Sequence, residues 1–137
     1  MSAEKNTEAI RKIYVAYLRR DMAALFEALA DEIQWITPGN SELSGERRGK
    51  DEIAGFFRTL EEQWEMLSFE PHEYIASGDR VIATGRYEFR ARSTGRAAAS
   101  HWAMAWTLRN GKVTHFQEYT DTSRLEEALT AVQRQSV

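Results

Sequence analysis

Residues 97–121 read AAASHWAMAWTLRNGKVTHFQEYTD and predict two antiparallel strands, Ala97–Arg109 and Lys112–Thr120. Asn110-Gly111 forms the turn between them, because a two-residue hairpin loop needs a positive φ at both positions. Arg109 then pairs with Lys112, and the rest of the register follows by counting outward. In this register one face carries His101, Ala103, Ala105, Phe116, Glu118 and Thr120, and the other carries Trp102, Met104, Trp106, His115, Gln117 and Tyr119.

The face with the two alanines predicts a cavity, because small side chains in mid-strand leave space. Glu118 and His101 would lie one diagonal step apart on this face, within reach of long side chains. A carboxylate beside an imidazole in a concave, partly dry place suits proton transfer, and burial there would raise the pKa of the Glu. An ordinary solvated pair across the two strands is the alternative interpretation.

The opposite face is bulky and aromatic, so it must pack against something large, either another chain or a helix. Large aromatic side chains and Met on an open sheet face are typical of an interface core. We therefore expect a homodimer through the face that carries Trp102, Met104, Trp106 and Tyr119.

The elements around this hairpin complete the fold class. Two further strands, Glu65–Ser77 and Arg80–Arg92, precede it, and a helix, Thr122–Gln133, follows it. From Thr7 to Leu18 the apolar residues recur every three or four positions, which predicts a helix. The other predicted elements are a helix Met22–Leu29 capped by Asp21, a strand Ile33–Thr37, a polar loop to Gly49 and a helix Lys50–Trp64. Segregated helices and strands predict an α+β fold, with a curved sheet around the long first helix.

Length, charge and residue composition exclude several classes of function for this chain. The 137 residues suit one domain, 1–137, that is large enough to enclose a cavity. A net charge of -3 argues against nucleic acid as a partner. The chain has no Cys, and its His residues lack metal-ligand spacing, so neither a metal nor another cofactor is expected. No apolar run suits a membrane span or a signal peptide, so we expect a cytoplasmic protein without a membrane partner.

Motifs spread over most of the chain carry a family resemblance. They are Ile13–Leu18 with Asp21-Met22, Trp35 with Thr37-Pro38-Gly39, Gly49–Ile53 with Phe56-Phe57, Ser77–Val81, Thr94–Arg96, Asn110–Val113 and Glu118–Asp121. In these motifs the chain resembles the SnoaL-like proteins, which are related to ketosteroid isomerases and polyketide cyclases in the nuclear-transport-factor-like superfamily. The resemblance implies a cystatin-like α+β cone, in which a strongly curved, mostly antiparallel sheet surrounds a central pocket, and a homodimer formed through the sheet.

The resemblance also implies roles for single residues. Tyr14 matches the tyrosine that donates to the enolate oxygen in ketosteroid isomerases, but Thr37 and Ala103 stand near the positions of their two aspartates. Steroid isomerisation by that mechanism is therefore not expected. Glu118 matches the water-activating Asp of limonene-type epoxide hydrolases. Asp121 matches the acid/base Asp of polyketide cyclases, although Asp before a helix is also a favoured cap.

Aromatic and small residues at core-facing spacing are the candidates for the pocket wall. They are Tyr17, Trp35, Phe56, Phe57, Trp64, Tyr87, Phe89, Ala103, Ala105, Phe116 and Thr120. We expect the pocket to bind a small, largely apolar molecule, with cofactor-free acid/base chemistry of isomerase, cyclase, dehydratase or hydrolase type at Glu118, His101, Tyr14 or Asp121. The alternatives are a non-catalytic ligand-binding module and a dimerisation scaffold whose pocket is filled by side chains.

Overall fold

The computed structural model describes residues 2–130 and places four helices and six strands in them. In chain order they are α1 Ala3–Leu18, α2 Met22–Glu27, β1 Leu29–Thr37, β2 Gly45–Arg48, α3 Gly49–Gln63, β3 Trp64–Ser77, β4 Arg80–Ala91, β5 Ala97–Arg109, β6 Lys112–Thr120 and α4 Thr122–Leu129. All predicted elements are present, and β2 is an addition in the stretch expected to be a polar loop. The predicted end of the last helix, at Gln133, lies outside the described residues.

The helix α1 lies against the sheet because one of its faces is apolar. Ile10, Ile13 and Tyr14 are buried on that face, and the helix contacts β3 and β4. Asp21 caps α2, as predicted, and its side chain accepts a 3.1 Å hydrogen bond from the backbone N–H of Ala24. In residues 2–130 no helix combines the length and apolar character that a bilayer crossing needs.

The six strands form one sheet in the order β2-β1-β6-β5-β4-β3. Neighbouring strands are antiparallel except β1 and β6, which are parallel. Two irregularities in β3, one between Met66 and Ser68 and one between Pro71 and Glu73, bend this edge. The sheet curves around α1, which confirms the predicted α+β architecture.

The last hairpin has the predicted turn but not the predicted register. Asn110 and Gly111 have φ values of 53° and 81°, and Arg109 pairs with Lys112. A bulge then leaves Thr114 without a partner in the β5–β6 ladder, so Thr107 pairs with His115. From that point every pair is shifted by one residue. Trp106 is opposite Phe116, Met104 is opposite Glu118, and Trp102 is opposite Thr120.

This shift corrects the predicted faces of β5. Trp102, Met104 and Trp106 are buried on the concave face, where Trp102 stacks on Tyr14 of α1 at 5.6 Å between ring centroids. Tyr119 lies on the convex face and is 54% exposed. The four residues expected at a dimer interface therefore do not share a face, and three of them belong to the core of the chain itself.

Candidate functional site

A cavity of about 130 Å³ lies between the concave face of the sheet, α1, α3 and α4. Apolar cavities of roughly 150 Å³ are large enough to hold benzene, so this one has room for about one six-membered ring. Eleven of the predicted site residues line it: Tyr14, Tyr17, Trp35, Phe56, Phe57, Trp64, Tyr87, Phe89, Phe116, Glu118 and Thr120. The wall is therefore mostly aromatic, with a carboxyl group and a few hydroxyl groups set into it.

Glu118 is the acidic residue on the sheet side of the cavity, which Glu126 of α4 also borders. Its side chain is partly buried and borders the cavity, and no cation in residues 2–130 forms an ion pair with it. Desolvation raises the pKa of Glu118 from 4.5 to about 7, although a hydrogen bond from Tyr87 opposes the rise. At neutral pH the carboxyl therefore exists in both protonation states, which suits a general acid or base.

Tyr87 connects Glu118 to a chain of hydroxyl groups. Its Oη lies 3.3 Å from Glu118 Oε2 and 3.2 Å from Thr120 Oγ1. Thr120 Oγ1 lies 3.0 Å from both Ser100 Oγ and the backbone oxygen of His101. Burial and the nearby Glu118 raise the pKa of Tyr87, so its hydroxyl stays neutral and able to donate.

Tyr14 provides a second hydroxyl, from α1. Trp106 Nε1 donates to Tyr14 Oη over 2.9 Å, and the hydroxyl donates to Met104 Sδ over 3.1 Å. Burial raises the pKa of Tyr14 well above its usual value and raises that of Tyr17 to about 12. Because a thioether is a weak acceptor, a ligand oxygen would compete well with Met104 for the Tyr14 proton.

Three predicted site residues lie on the convex side of the sheet and do not border the cavity. His101 is exposed, and Ala103 and Ala105 face outward with it. The predicted pair of Glu118 with His101 is therefore wrong, because the bulge at Thr114 turns Glu118 to the concave face. Tyr87, from β4, is the group that contacts Glu118 in place of the imidazole.

Asp121 also lies away from the cavity. It is exposed at the N-terminus of α4, where its side chain accepts from the backbone N–H of Ser123 over 3.1 Å. The side-chain and backbone hydrogen bonds from Ser123 lower the pKa of this carboxyl. Asp121 thus has the geometry of a helix cap, which was the alternative to an acid/base role.

One part of the cavity lining was not predicted. It comes from the loop of residues 38–44 and from α4, which are joined where Glu126 Oε2 accepts from the backbone N–H of Asn40 over 3.1 Å. Met104 and Phe69 also line the wall. Sequence reasoning missed Met104 through the wrong register and Phe69 because the β3 bulges interrupt the alternating pattern. Within residues 2–130 no three His, Cys, Asp or Glu side chains gather in a way that could hold a metal ion.

The curved sheet around an N-terminal helix, open to an internal cavity, is the architecture of the NTF2-like proteins. An NTF2-like protein from Burkholderia xenovorans has a similar structure: it is 36% identical with a TM-score of 0.86, over 93% of this chain and 98% of that one. Residues 10–116 match the SnoaL-like domain family. The chain therefore belongs to the SnoaL-like family.

Two further relatives cover nearly the whole chain. TerC, which was co-crystallised with polyporic acid, is 28% identical with a TM-score of 0.83, over 91% of this chain and 98% of TerC. An uncharacterized protein of Mycobacterium tuberculosis is 25% identical over 129 residues, which is 92% of this chain and 97% of that protein.

Proposed function

We propose that the cavity binds a small, largely apolar molecule with one oxygen function, and that Glu118 exchanges a proton with it without a cofactor. The observation that carries this proposal is a carboxyl group without a cationic partner, set in an aromatic cavity within the described residues, with its pKa raised to about 7. Desolvated carboxyl groups of this kind are characteristic of acid/base sites, because their pKa is close to the working pH.

The arrangement suits proton transfer next to a carbonyl group. The carboxylate of Glu118 would take a proton from the adjacent carbon, and the neutral hydroxyl of Tyr14 would donate to the developing enolate oxygen. The protonated Glu118 would then return the proton to a carbon of the same molecule. Return of the proton to a different carbon would isomerise the molecule. Cyclisation would instead need the enolate carbon to form a bond to a second carbonyl carbon of the same molecule, with the Glu118 proton going to the resulting alkoxide.

The relatives support a small-molecule ligand. TerC was crystallised with polyporic acid, and it shares the fold with this chain over nearly its whole length. The aromatic wall supports an unsaturated or aromatic ring as the apolar part of the ligand here, because offset-stacked and edge-to-face ring contacts are favourable.

Proton exchange into a one-ring ketone tests the proposal without knowledge of the natural substrate. Cyclohex-2-enone in D₂O is followed by NMR, and we expect the protein to accelerate deuterium uptake beside the carbonyl. Glu118→Gln should lower that acceleration by roughly 100-fold or more. Glu88→Gln is the matched control, because Glu88 faces outward on β4 and should leave the rate unchanged.

The two outcomes separate catalysis from binding alone. Equal exchange rates for the protein and for Glu118→Gln would contradict the role of Glu118. Saturation transfer from the protein to cyclohexenone without any exchange would favour the non-catalytic binding module. The cavity itself argues against the third alternative, a scaffold whose pocket is filled by side chains.

We also propose a homodimer, through the convex face of the sheet instead of the concave one. A row of paired residues crosses five neighbouring strands on this face, and four of the five are apolar: Ile36, Gln117, Ala105, Ile82 and Ile75. Ile75 is 63% exposed in the single chain, and such patches favour association. Light scattering after gel filtration should give a dimer, and Ile75→Arg, at the most exposed position of this row, should give a monomer. Ala24→Arg, on exposed α2, is the control that should stay dimeric.

A further inference from the structure

The hydroxyl of Tyr87 has two acceptors but a single proton to donate. Glu118 Oε2 lies 3.3 Å away and Thr120 Oγ1 lies 3.2 Å away. Because a tyrosine hydroxyl carries one hydrogen, it makes one good hydrogen bond at a time, to the carboxyl or to the threonine. The protonation state of Glu118 decides which acceptor is better, since a carboxylate accepts far more strongly than a neutral hydroxyl.

The proton of Thr120 itself is directed away from Tyr87. Thr120 Oγ1 lies 3.0 Å from the backbone oxygen of His101 and 3.0 Å from Ser100 Oγ. The Thr120 hydroxyl donates to this carbonyl oxygen or to Ser100 Oγ, which itself lies 3.0 Å from the same carbonyl oxygen, and in either case its lone pairs stay free for Tyr87. Ser100 is buried, and its Oγ is 3.4 Å from the backbone N–H of Asp121, which anchors this end of the chain.

We propose that Thr120 is a positioning residue that accepts the Tyr87 hydroxyl while Glu118 is protonated and releases it when Glu118 ionises. In the first state the Glu118 O–H donates to Tyr87 Oη, and Tyr87 donates to Thr120. When Glu118 gives its proton to the ligand, the Tyr87 hydroxyl turns from Thr120 to the carboxylate. Tyr87 keeps its proton throughout. The inference rests on the proposed acid/base role of Glu118.

No other group that faces Glu118 provides the alternative acceptor that Thr120 provides for the Tyr87 hydroxyl. From α1, Tyr14 and Tyr17 interact electrostatically with Glu118, and burial raises the pKa of each, so both stay neutral. Met104, opposite Glu118 on β5, does not titrate. Glu126 of α4 borders the same cavity and accepts a hydrogen bond from the backbone N–H of Asn40.

The test is the titration of Glu118 in the ligand-free protein, followed through its side-chain carboxyl ¹³C signal. Thr120→Val removes the alternative acceptor and keeps the branched shape, so the protonated state loses a hydrogen bond that the ionised state does not use. We expect the midpoint to fall by about one pH unit, a tenfold change in the ionisation constant. Thr120→Ser restores a hydroxyl and should return the midpoint to that of the unmodified protein.

A background without the Tyr87 hydroxyl separates positioning from a general structural effect. Tyr87→Phe should raise the midpoint, because the carboxylate loses a donor. Thr120→Val should then shift it no further, since Thr120 acts through Tyr87. An unchanged or raised midpoint in Thr120→Val alone, or an equal fall in both backgrounds, overturns the inference. Thr120→Ala provides the same comparison if Thr120→Val does not fold.

The titration can contradict the role of Thr120 without contradicting the proposed function, and the reverse also holds. It uses no ligand and no turnover, so equal cyclohexenone exchange by the protein and by Glu118→Gln, which would contradict the proposed function, does not change the result of this titration. Conversely, if the midpoint of the Glu118 titration does not change in Thr120→Val, the positioning role of Thr120 is contradicted. The proposed acid/base role of Glu118 is not affected by that result.

Discussion

Replacing Glu118 by Gln should stabilise the protein, and the gain should grow as the pH rises. Folding raises the pKa of this carboxyl from 4.5 to about 7, so between those values the folded chain holds a proton that the unfolded chain has released. The free energy of unfolding therefore falls as the pH rises through this range. Above the folded pKa the full cost is about 3 kcal/mol, at 1.36 kcal/mol for each pKa unit.

Urea unfolding, followed by tryptophan fluorescence at a series of pH values and one protein concentration, measures this cost. Gln has a similar shape and does not ionise, so the difference between Glu118→Gln and the unmodified protein should increase by up to about 3 kcal/mol from about pH 4 to about pH 8. Glu88→Gln, on the outer face, should show no such increase. A difference that stays constant over this range would refute a desolvated Glu118, whatever its size at pH 4.

Three further substitutions test the packing, the hydrogen bonding and the helix cap around the cavity. Gly85→Ala should destabilise the protein by about 2 kcal/mol, because a Cβ at this position would collide with the backbone oxygen of Glu70 and with the ring of Trp102; a stable variant would mean that both the β3 backbone and the ring can move. Tyr14→Phe leaves the buried Trp106 Nε1 without its acceptor and should cost about 1–3 kcal/mol in the same urea titration, whereas a neutral change would place a water there. Asp121→Ala should cost about 1 kcal/mol through loss of the α4 cap and leave cyclohexenone exchange unchanged. Lost exchange would instead support an acid/base role for Asp121.

The elements that sequence reasoning located are those whose signal is local. The apolar stripe of α1, the cap at Asp21 and the turn at Asn110-Gly111 each depend on residues within a few positions of one another. Most of the cavity wall followed from the same logic, because aromatic side chains at core-facing spacing must be buried somewhere. Tyr87 and Phe89, for example, are inward on β4 by simple alternation.

The parts that were missed depend on pairing between strands. The edge strand β2 has a mostly exposed sequence, Gly-Glu-Arg-Arg, without an apolar alternation that would separate it from a loop. It forms because β1 offers it a free edge, with Trp35 opposite Arg47. The bulge at Thr114 is likewise invisible to a count outward from the turn, since inserting one unpaired residue changes no local propensity.

One indication of the bulge is nevertheless present in the sequence of β6. Val113 and Phe116 are both large and apolar but three positions apart, so strict alternation would place them on opposite faces. A bulge between them lets both be buried, Val113 opposite Leu108 and Phe116 opposite Trp106. Burying a second large side chain is worth about 1.5–3 kcal/mol, which is enough to offset one lost ladder pair.

The same bulge determines the chemistry of the site. Strict alternation from the turn would keep Glu118 opposite Ala103 and beside the exposed His101, where water and a nearby imidazole would hold its pKa near the ordinary value. The shift of one residue places it opposite Met104 instead, with Tyr87 as its hydrogen-bond partner. A carboxyl that titrates near neutral pH is therefore a consequence of packing Val113 and Phe116 on one face. The core requirement that produces the bulge thus also creates the group proposed to transfer protons.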